Sequence, residues 1–342
     1  MKIAEYHSLN DIRVVDVPLP EIRRGDILVR TKVCGICGSD VLEWYRKMRK
    51  SPFLGHEVTG VIEKIGEGVE KFKEGDRVFI HHHVPCFICH YCRRGKYTMC
   101  PTFHHTNFDV AGLAEFVRVP ELNVKNGGVI KLPDSVSFEQ GSLFEPIGCC
   151  MRGLKNTNLH AGDTVLIIGA GFTGLVHAHL ARMMGAGLIV VSDFFDFKLR
   201  KAKIMGADVI INPGKEDVRE KLHKANEGRG ADVVVVTPAS TRVIQDAINY
   251  LDKGGHLYLF GPTSPDDFLS ILPYTFFFSE LSLTTNYSTT PIETNAVCKL
   301  MEEGKIKTEG LVTHRFSLNE VQEAFGVAAK AEKSLKVIVS FE

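Results

Sequence analysis

The sequence predicts an α/β protein that combines a β-rich domain with a doubly wound parallel-sheet domain. In the first third of the chain, short apolar segments such as "DILVRTKVCGICG" and "VTGVIEKIG" are punctuated by glycine, which is typical of strands in a small barrel or twisted sheet. From about residue 160, apolar segments alternate with segments of helical periodicity, and this alternation indicates βαβ units.

The elements of the predicted parallel sheet follow one another closely. "TVLIIGAG" is a continuous apolar segment and therefore a buried strand, and "TGLVHAHLARMMG" behind it has apolar residues at helical spacing. The same pairing recurs in "LIVVSD" with "KLRKAKIMGA", "DVIIN" with "VREKLHKAN", and "ADVVVVT" with "RVIQDAINYLDKG". A last strand lies in "HLYLFG", and from about residue 286 the chain returns to a mixed pattern.

Composition argues against several classes of function. The 342 residues suffice for two domains with hydrophobic cores, and the formal net charge is zero, which disfavours nucleic acid or an anionic membrane as partner. "MKIAEYHSLNDIRVVDVPLP" lacks the apolar region of a signal peptide, and no apolar run approaches the ~20 residues of a membrane span. We therefore expect a cytoplasmic protein. Its nine cysteines, an odd number, favour metal binding or redox chemistry over a disulfide framework.

A glycine motif of the form G-x-G-x-x-G lies between the first strand and the first helix of the predicted parallel sheet. It consists of Gly169, Ala170, Gly171, Phe172, Thr173 and Gly174. Such glycines let a pyrophosphate approach backbone N–H groups, and Asp193, at the end of the next strand, would accept hydrogen bonds from an adenosine ribose. Because Asp193 would repel a 2′-phosphate, and Phe194 and Phe195 supply no cation, we expect NAD rather than NADP. A cofactor-free glycine turn or another nucleotide such as FAD is the alternative.

Four cysteines with the spacing C-x2-C-x2-C-x7-C predict a zinc site within a lobe of about residues 85–101. They are Cys86, Cys89, Cys92 and Cys100. Four thiolates complete a tetrahedral shell and leave no position for a substrate, so this zinc would be structural. The alternatives are an iron–sulfur cluster and a nucleic-acid-binding zinc ribbon, the latter disfavoured by the neutral net charge.

A second set of metal ligands is predicted from "CGICGSD" and "GHE", which supply Cys37, His56 and Glu57. A thiolate, an imidazole and a carboxylate all bind zinc, and three protein ligands leave a fourth position open. Glu145, in "FEPIG", adds a carboxylate just before the parallel-sheet domain. Cys34, in contrast, is expected to be a small core residue rather than a redox partner.

These motifs identify a family by their order along the chain. "VCGICGSD", "GHE", the four-cysteine lobe, "EP", "GAGFTG" and "LVTHRF" succeed one another as in the zinc-dependent medium-chain dehydrogenase/reductases, which the whole chain resembles, within the alcohol, polyol and threonine dehydrogenase group. The resemblance implies a GroES-like catalytic domain of residues 1–146 and 286–342, and a Rossmann NAD-binding domain of residues 147–285, with the active site in the cleft.

The resemblance also implies which residues serve the reaction. Catalytic zinc would bind Cys37 and His56, and Glu145 stands where alcohol dehydrogenases have a second cysteine, as in the sorbitol, threonine and glucose dehydrogenase branch. Glu57 is commonly a ligand in that branch, so either carboxylate could be the one bound. Zinc would act as a Lewis acid on the substrate hydroxyl while hydride passes to the nicotinamide.

Four further residues take roles from the resemblance, and one position departs from it. Ser39 would pass on the substrate proton, and Asp40 would orient the zinc-bound histidine. Lys198 would lie near the adenosine ribose, and Lys336 near the pyrophosphate. Many relatives carry a proton-relaying histidine where this chain has Leu42, so the proton would leave through cofactor hydroxyls and water, or another histidine would substitute.

The prediction of the substrate class depends on a polar pocket. The predicted pocket residues are His82, Phe103, Thr106 and Asn286. Several hydrogen-bonding groups would suit a polyol, sugar or cyclitol, whereas a simple aliphatic alcohol would leave them unpaired. The absence of the arginine–tyrosine pair frequent in the sorbitol branch argues against sorbitol itself. The alternatives are L-threonine, a simple alcohol, or a zinc- and nucleotide-binding protein without turnover. Relatives form dimers or tetramers, so a homo-oligomer, most often a homotetramer, is implied.

Overall fold

A computed structural model describes residues 1–49 and 51–342, which form two compact units. The first unit comprises residues 1–148 and 288–342, and the second comprises residues 149–287. The sequence placed both boundaries two residues earlier, after residue 146 and before residue 286. Within the described ranges, no helix combines the length and apolar character needed to cross a bilayer.

Fifteen β-strands are present in the described residues. In chain order they are β1 (Lys2–Ser8), β2 (Asp11–Asp16), β3 (Ile27–Gly35), β4 (Glu57–Ile65), β5 (Arg77–Ile80), β6 (Phe116–Val119), β7 (Val129–Lys131), β8 (Thr164–Ile168), β9 (Leu188–Ser192), β10 (Val209–Ile211), β11 (Ala231–Val236), β12 (Leu251–Leu259), β13 (Ser282–Thr285), β14 (Val312–Ser317) and β15 (Lys336–Ser340).

The α-helices of the same part of the chain range from one turn to about three turns. In chain order they are α1 (Glu43–Met48), α2 (His90–Arg93), α3 (Pro101–His105), α4 (Glu121–Lys125), α5 (Phe138–Ser142), α6 (Phe144–Lys155), α7 (Phe172–Met183), α8 (Asp196–Ile204), α9 (Val218–Ala225), α10 (Thr241–Ala247), α11 (Pro273–Phe278), α12 (Pro291–Glu302) and α13 (Val321–Lys330). Short 3-10 turns occupy Gly38–Val41, Tyr97–Met99, Ile248–Tyr250 and Leu318–Glu320.

The second unit is a parallel sheet in the order β10-β9-β8-β11-β12-β13. Its central strands are continuous runs of buried Val, Leu and Ile, because helices cover both faces of such a sheet. The strand order reverses between β8 and β11, which is the Rossmann arrangement, and ligands bind at the carboxyl ends of the strands at this reversal. The glycine motif follows β8 and therefore lies at that point.

The first unit contains a seven-stranded sheet in the order β14-β15-β3-β4-β5-β7, with β6 pairing with β3 and the hairpin β1-β2 apart from it. An apolar core of Val, Ile, Leu and Phe side chains from these strands and from α13 stabilises it. In the ladder, Gly35 lies opposite Glu57, and Ile338 lies opposite Gly35. This register brings the end of β3 beside the beginnings of β4 and β15.

Two local predictions differ from the structure. The helix expected through "RVIQDAINYLDKG" ends at Ala247, and residues 251–254 already belong to β12. Gly254 has a φ of +75°, and the pairing of β12 with β11 shifts register there, so the strand begins early and bends at the glycine. The helix α6 was not predicted, because "FEPIGCCMRGLK" carries a proline and two glycines that obscure its helical pattern.

Candidate active site

Three ligating side chains converge at the edge where β3, β4 and β15 meet. Cys37 follows β3 and precedes the 3-10 turn Gly38–Val41, His56 immediately precedes β4, and Glu57 is its first residue. One donor atom from each of the three lies within 4.8 Å of the others. The sheet register therefore brings together a thiol, an imidazole and a carboxylate, the donor set that suits Zn²⁺ with an open position.

The 3-10 turn after Cys37 supplies residues that lie beside the three ligands. Asp40 is buried, its Oδ2 accepts a hydrogen bond from the backbone N–H of Cys37 at 3.1 Å, and its Oδ1 lies 3.8 Å from Nδ1 of His56. Burial opposes protonation of His56, but the charges of Asp40 and Cys37 outweigh it and raise the pKa of His56 well above its ordinary value. Ser39 is half-buried in the same turn, two residues after Cys37.

Glu145 lies near this set, and its role as a zinc ligand stays a prediction. It lies in the first turn of α6 and is buried, with 4% of its surface exposed. Its charge contributes to the raised pKa values of His56 and Lys336, so the carboxylate lies close enough to influence the site. The described residues within mutual ligating distance are nevertheless Cys37, His56 and Glu57, without Glu145.

The four cysteines of the lobe form a separate, closed set. Their sulfur atoms lie within 4.8 Å of one another, with Sγ–Sγ distances of 3.6 Å for Cys89–Cys92 and 3.5 Å for Cys86–Cys100. Burial acts to raise the pKa of Cys100, but the backbone N–H groups of Cys86 and Phe103 lower it to about 6, which favours the thiolate that zinc requires. This donor set fits a structural zinc ion.

The glycine motif forms a cradle at the beginning of α7. Gly169 has a φ of +94°, a Cβ at Gly174 would lie 1.8 Å from the carbonyl oxygen of Gly169, and a Cβ placed at Gly171 would face open space among the described residues. The backbone is therefore too closely packed at Gly174 for any residue but glycine, whereas the space next to Gly171 is open to a ligand. Phe172 and Thr173 form the first turn of α7, where N–H groups point outward.

Asp193, directly after β9, is fixed by this turn. Its Oδ2 accepts from the N–H of Ala170 at 2.7 Å and its Oδ1 accepts from the N–H of Phe195 at 2.9 Å. Lys198 is buried with its Nζ 4.7 Å from the ring centre of Phe195, and burial lowers the pKa of Lys198 against the charge of Asp193. These residues fit the ribose end of a dinucleotide.

Known proteins are similar to this chain over nearly its whole length. A family model described as "Alcohol dehydrogenase GroES-like domain" matches residues 23–134, and one described as "Zinc-binding dehydrogenase" matches residues 173–303. The chain is 31% identical to the sorbitol dehydrogenase of Bacillus subtilis (strain 168), over 99% of this chain and 97% of that protein. It is also 31% identical to the L-threonine 3-dehydrogenase of Anaeromyxobacter sp. (strain K), over 95% and 94%.

Two solved structures extend the comparison. A zinc-binding dehydrogenase from Sinorhizobium meliloti 1021, bound to NADP, has 27% identity and a TM-score of 0.88 over 99% of both chains. An alcohol dehydrogenase from Escherichia coli CFT073, complexed with NADH, has 27% identity and a TM-score of 0.88 over 100% of this chain and 99% of the other.

The chain belongs to the zinc-dependent medium-chain dehydrogenase family. Within it, the chain groups with the polyol dehydrogenase branch, and it is an oxidoreductase of alcohols or polyols. Zn²⁺ and a nicotinamide adenine dinucleotide are its cofactors. The predicted family, fold class, enzyme class and cofactors are confirmed in this sense.

In this dehydrogenase, Lys336 has a partner that the sequence did not reveal. Its Nζ lies 2.7 Å from both carboxylate oxygens of Glu57 and 3.2 Å from the carbonyl oxygen of Ile36, while Glu57 itself is fully buried. Burial opposes the charge, but Glu57 and Cys37 raise the pKa of Lys336 above its ordinary value. Three acceptor oxygens thus lie within hydrogen-bonding distance of the ammonium group, and a role at the pyrophosphate stays a prediction.

Of the predicted pocket residues, His82, Phe103 and Thr106 lie in the first unit and Asn286 lies in the second. His82 lies against the ligand set, with its ring centre 5.0 Å from that of His56 and a buried Nδ1 that has no hydrogen-bond partner among the described residues. Asn286 lies in the second unit, where its Oδ1 accepts from Asn156 at 3.3 Å. A pocket role for Phe103 and Thr106 stays a prediction.

Phe103 and Thr106 are both buried beside His83. Phe103 is fully buried and packs with Cys92 and Cys100 in the small core of the lobe. The hydroxyl of Thr106 accepts from the N–H of Val84 at 3.0 Å and lies within hydrogen-bonding distance of two carbonyl oxygens, so its capacity is used. Alignment by spacing placed both residues near the site but could not give the direction of their side chains.

Two neutral histidines, His81 and His83, flank His82. His81 is fully buried, and burial, with the charges of His83 and His56, lowers its pKa to about 3. Burial also lowers the pKa of His83 to about 4, and its Nδ1 is hydrogen-bonded to the carbonyl oxygen of Thr106. The signal available in the sequence was the position of "HHH" directly after the apolar strand β5.

Proposed function

We propose that this protein oxidises a secondary hydroxyl of a polyol, sugar or cyclitol to a ketone, with NAD as the hydride acceptor. The observation that carries the proposal is the set formed by Cys37, His56 and Glu57, three donors of three kinds with His82 beside them. Three protein ligands suit a catalytic zinc because a fourth position remains for the substrate. The relatedness to sorbitol dehydrogenases supports the substrate class.

Residues around this fourth ligand position have separate roles in the reaction. Zinc, when bound by Cys37, His56 and a carboxylate, supplies Lewis acidity, and NAD, when bound at the glycine motif, accepts the hydride. Ser39 receives the hydroxyl proton of the substrate and passes it on, since it lies in the turn that also carries Cys37. Asp40 holds the imidazole of His56 in orientation. With Leu42 in place of a relaying histidine, the proton leaves through water or the cofactor hydroxyls.

His82 favours a substrate with more than one hydroxyl. Its buried Nδ1 has no partner in the described part of the chain, and a second hydroxyl next to the reacting one would supply the missing hydrogen bond. A substrate without this hydroxyl would leave the nitrogen unpaired, at a cost of about 1–3 kcal/mol. We therefore expect polyols and cyclitols to be preferred over simple alcohols by roughly 10- to 100-fold in kcat/KM.

The experiment is a turnover screen of the zinc-loaded protein, followed by NADH absorbance, across polyols, cyclitols, aldoses, L-threonine and short alcohols. The expected result is turnover on one hydroxyl-rich class, and a His82→Phe variant should lose that preference while keeping turnover on short alcohols. Turnover confined to L-threonine, as the second relative suggests, or to short alcohols would refute the substrate class. No turnover with any substrate while zinc is bound would refute the enzymatic reaction itself.

Asp193 supports NAD over NADP. Backbone N–H groups fix both of its oxygens, so the negative charge cannot move away from a 2′-phosphate. We expect Asp193→Ala to reduce the NAD-to-NADP ratio of kcat/KM by at least about tenfold, because the repulsion and the ribose hydrogen bonds are lost together. Asp196→Asn, at an exposed carboxylate that bonds Lys215 and Asn212, is the matched control and should keep the ratio.

A second copy of this chain is the proposed partner, within the cytoplasm. β13 is the outermost strand of its sheet, and α11 carries exposed aromatic side chains, among them Tyr274, Phe277 and Phe278 with 70%, 76% and 66% exposure. Together with the exposed Leu272 and Leu283 they form an apolar surface of the kind that subunit interfaces bury. Light scattering should show a dimer or tetramer that Phe277→Glu dissociates, and a monomeric wild-type protein would refute this proposal.

A further inference from the structure

Lys336 and Glu57 form an ion pair next to the end of β3, where Gly35 leaves space for it. Glu57 begins β4, Lys336 begins β15, and β3 runs between them and ends at Gly35. A Cβ at Gly35 would lie 1.9 Å from Oε2 of Glu57, so the carboxylate occupies the space that any other residue would fill. Lys336 then spans the gap to both oxygens of Glu57 at 2.7 Å.

This ion pair is part of the ligand set, because Glu57 is one of its three donors. Both carboxylate oxygens are engaged by the ammonium group, and the pair is buried, with side-chain exposures of 5% for Lys336 and 0% for Glu57. A permanent cation this close to a divalent metal repels it and also competes with it for the same oxygens. In a buried setting such charges are only weakly screened.

We propose that Lys336 is a positioning residue. It holds the carboxylate of Glu57 beside Cys37 and His56, and it weakens the bond between this carboxylate and the metal. The inference rests on the proposed function of that set as the zinc site. Lys336 holds the buried carboxylate in place without metal, and it weakens the bond between Glu57 and the metal when metal is bound. Glu57 thereby becomes the exchangeable ligand of the set.

The alternative is that Lys336 only supports the sheet. The pair then stabilises the fold, and its removal weakens metal binding at the site or leaves metal binding unchanged. The two interpretations differ in sign for the metal: loss of a competing cation strengthens metal binding, whereas loss of a mere support does not. Metal affinity and the metal release rate therefore decide between them, independently of activity.

The experiment measures Co²⁺ at the Cys37 site of the full-length protein by its visible absorption, with Cys37→Ser used to assign which bands belong to that site. Lys336→Met removes the charge at similar length, Lys336→Arg retains a cation, and Lys333→Met makes the same change at an exposed lysine nearby as the matched control. Chelator competition gives the dissociation constant, and transfer of bound metal to excess chelator gives the release rate.

We expect Lys336→Met to bind Co²⁺ at least about tenfold more tightly and to release it at least about tenfold more slowly, because a neighbouring positive charge is gone. Without metal, the same variant should unfold roughly 5–10 °C lower, since a buried carboxylate is left without its partner. Adding Glu57→Gln to it should restore most of this loss. Lys336→Arg and Lys333→Met should remain close to wild type in metal affinity.

An unchanged or weaker Co²⁺ affinity in Lys336→Met would overturn the proposal and assign Lys336 a supporting role. If metal-free Lys336→Met does not fold, the release rate from the metal-loaded protein still decides, and an unaltered rate refutes the proposal. No substrate or NAD enters these measurements, so a protein that fails the turnover screen can still pass them. Loss of the proposed function would show separately, as Co²⁺ bands that Cys37→Ser does not change.

Discussion

The two ligand sets of this dehydrogenase both have their donor atoms within 4.8 Å of one another, but their origins are opposite. The cysteine lobe draws its four ligands from the fifteen residues between Cys86 and Cys100, whereas Cys37, His56 and Glu57 are brought together by the pairing of β3 with β4. The lobe is closed by thiolates alone. The second set includes a carboxylate that a buried lysine also holds. A site built from one chain segment has all its ligands in that segment. A site built by strand pairing also depends on residues of the neighbouring strands, as Glu57 does on Lys336.

The largest expected effect separates the two sets by function. Cys37→Ser should reduce kcat/KM by at least about 10³-fold with little change in the melting temperature, because only the catalytic metal loses its thiolate. Turnover assays and thermal unfolding measure these two quantities, and zinc analysis shows whether the ion is lost. Cys298→Ala, at a buried thiol outside both sets, is the control and should retain activity. An active Cys37→Ser enzyme that lacks this zinc would contradict the assignment.

The origins of the two sets also explain how far the sequence could predict them. The lobe was predictable because all its ligands and their spacing lie in one segment. Cys37, His56 and Glu57 were recognised through motifs, but Lys336 lies 279 residues from Glu57, and only the register of β15 with β3 shows that they meet. The pocket role of Phe103 and Thr106 stays a prediction, because spacing along the chain does not specify which way a side chain points. Alternation of strands and helices, in contrast, was sufficient to predict the Rossmann sheet.

The second expected effect lies in the lobe and concerns stability. Cys92→Ser should lower the melting temperature by roughly 10 °C, since a structural zinc site contributes its binding free energy to folding. Bound zinc should fall from two ions per chain to one, while the protein that remains folded keeps most of its activity. Calorimetry and metal analysis test this. Comparable losses of kcat in Cys92→Ser and Cys37→Ser would remove the functional distinction between the two sets.

The third effect tests whether the space at Gly35 is needed by the ion pair. Gly35→Ala should destabilise the protein by about 2–3 kcal/mol, because the added methyl group would displace the carboxylate of Glu57 from Lys336. Gly38→Ala is a matched control three residues away, where a Cβ would meet no described atom within 4 Å, and neither glycine has a positive φ. Urea unfolding compares the two variants. Equal stability of both would show that the sheet accommodates the methyl group and that the Glu57 position is not fixed.

The smallest effect is an acid sensitivity confined to the neighbourhood of the second set. His81 is buried without charge and has a pKa of about 3, so between pH 6.5 and pH 3 the unfolded chain binds a proton that the folded chain does not. Stability from this residue is therefore complete above pH 6.5 and falls as the pH is lowered, by about 2 kcal/mol at pH 5.

His81→Phe keeps a ring against Phe79 and removes the titrating nitrogen, so its unfolding free energy in the metal-depleted protein should fall less between pH 7 and pH 5 than that of wild type. His105→Phe, at an exposed histidine, should follow wild type. The same acid sensitivity in His81→Phe as in wild type would place its origin elsewhere. If instead the prediction holds, the catalytic set differs from the lobe in a further respect: its surroundings depend on imidazoles kept neutral by burial, and acid acts on them even when no metal is bound.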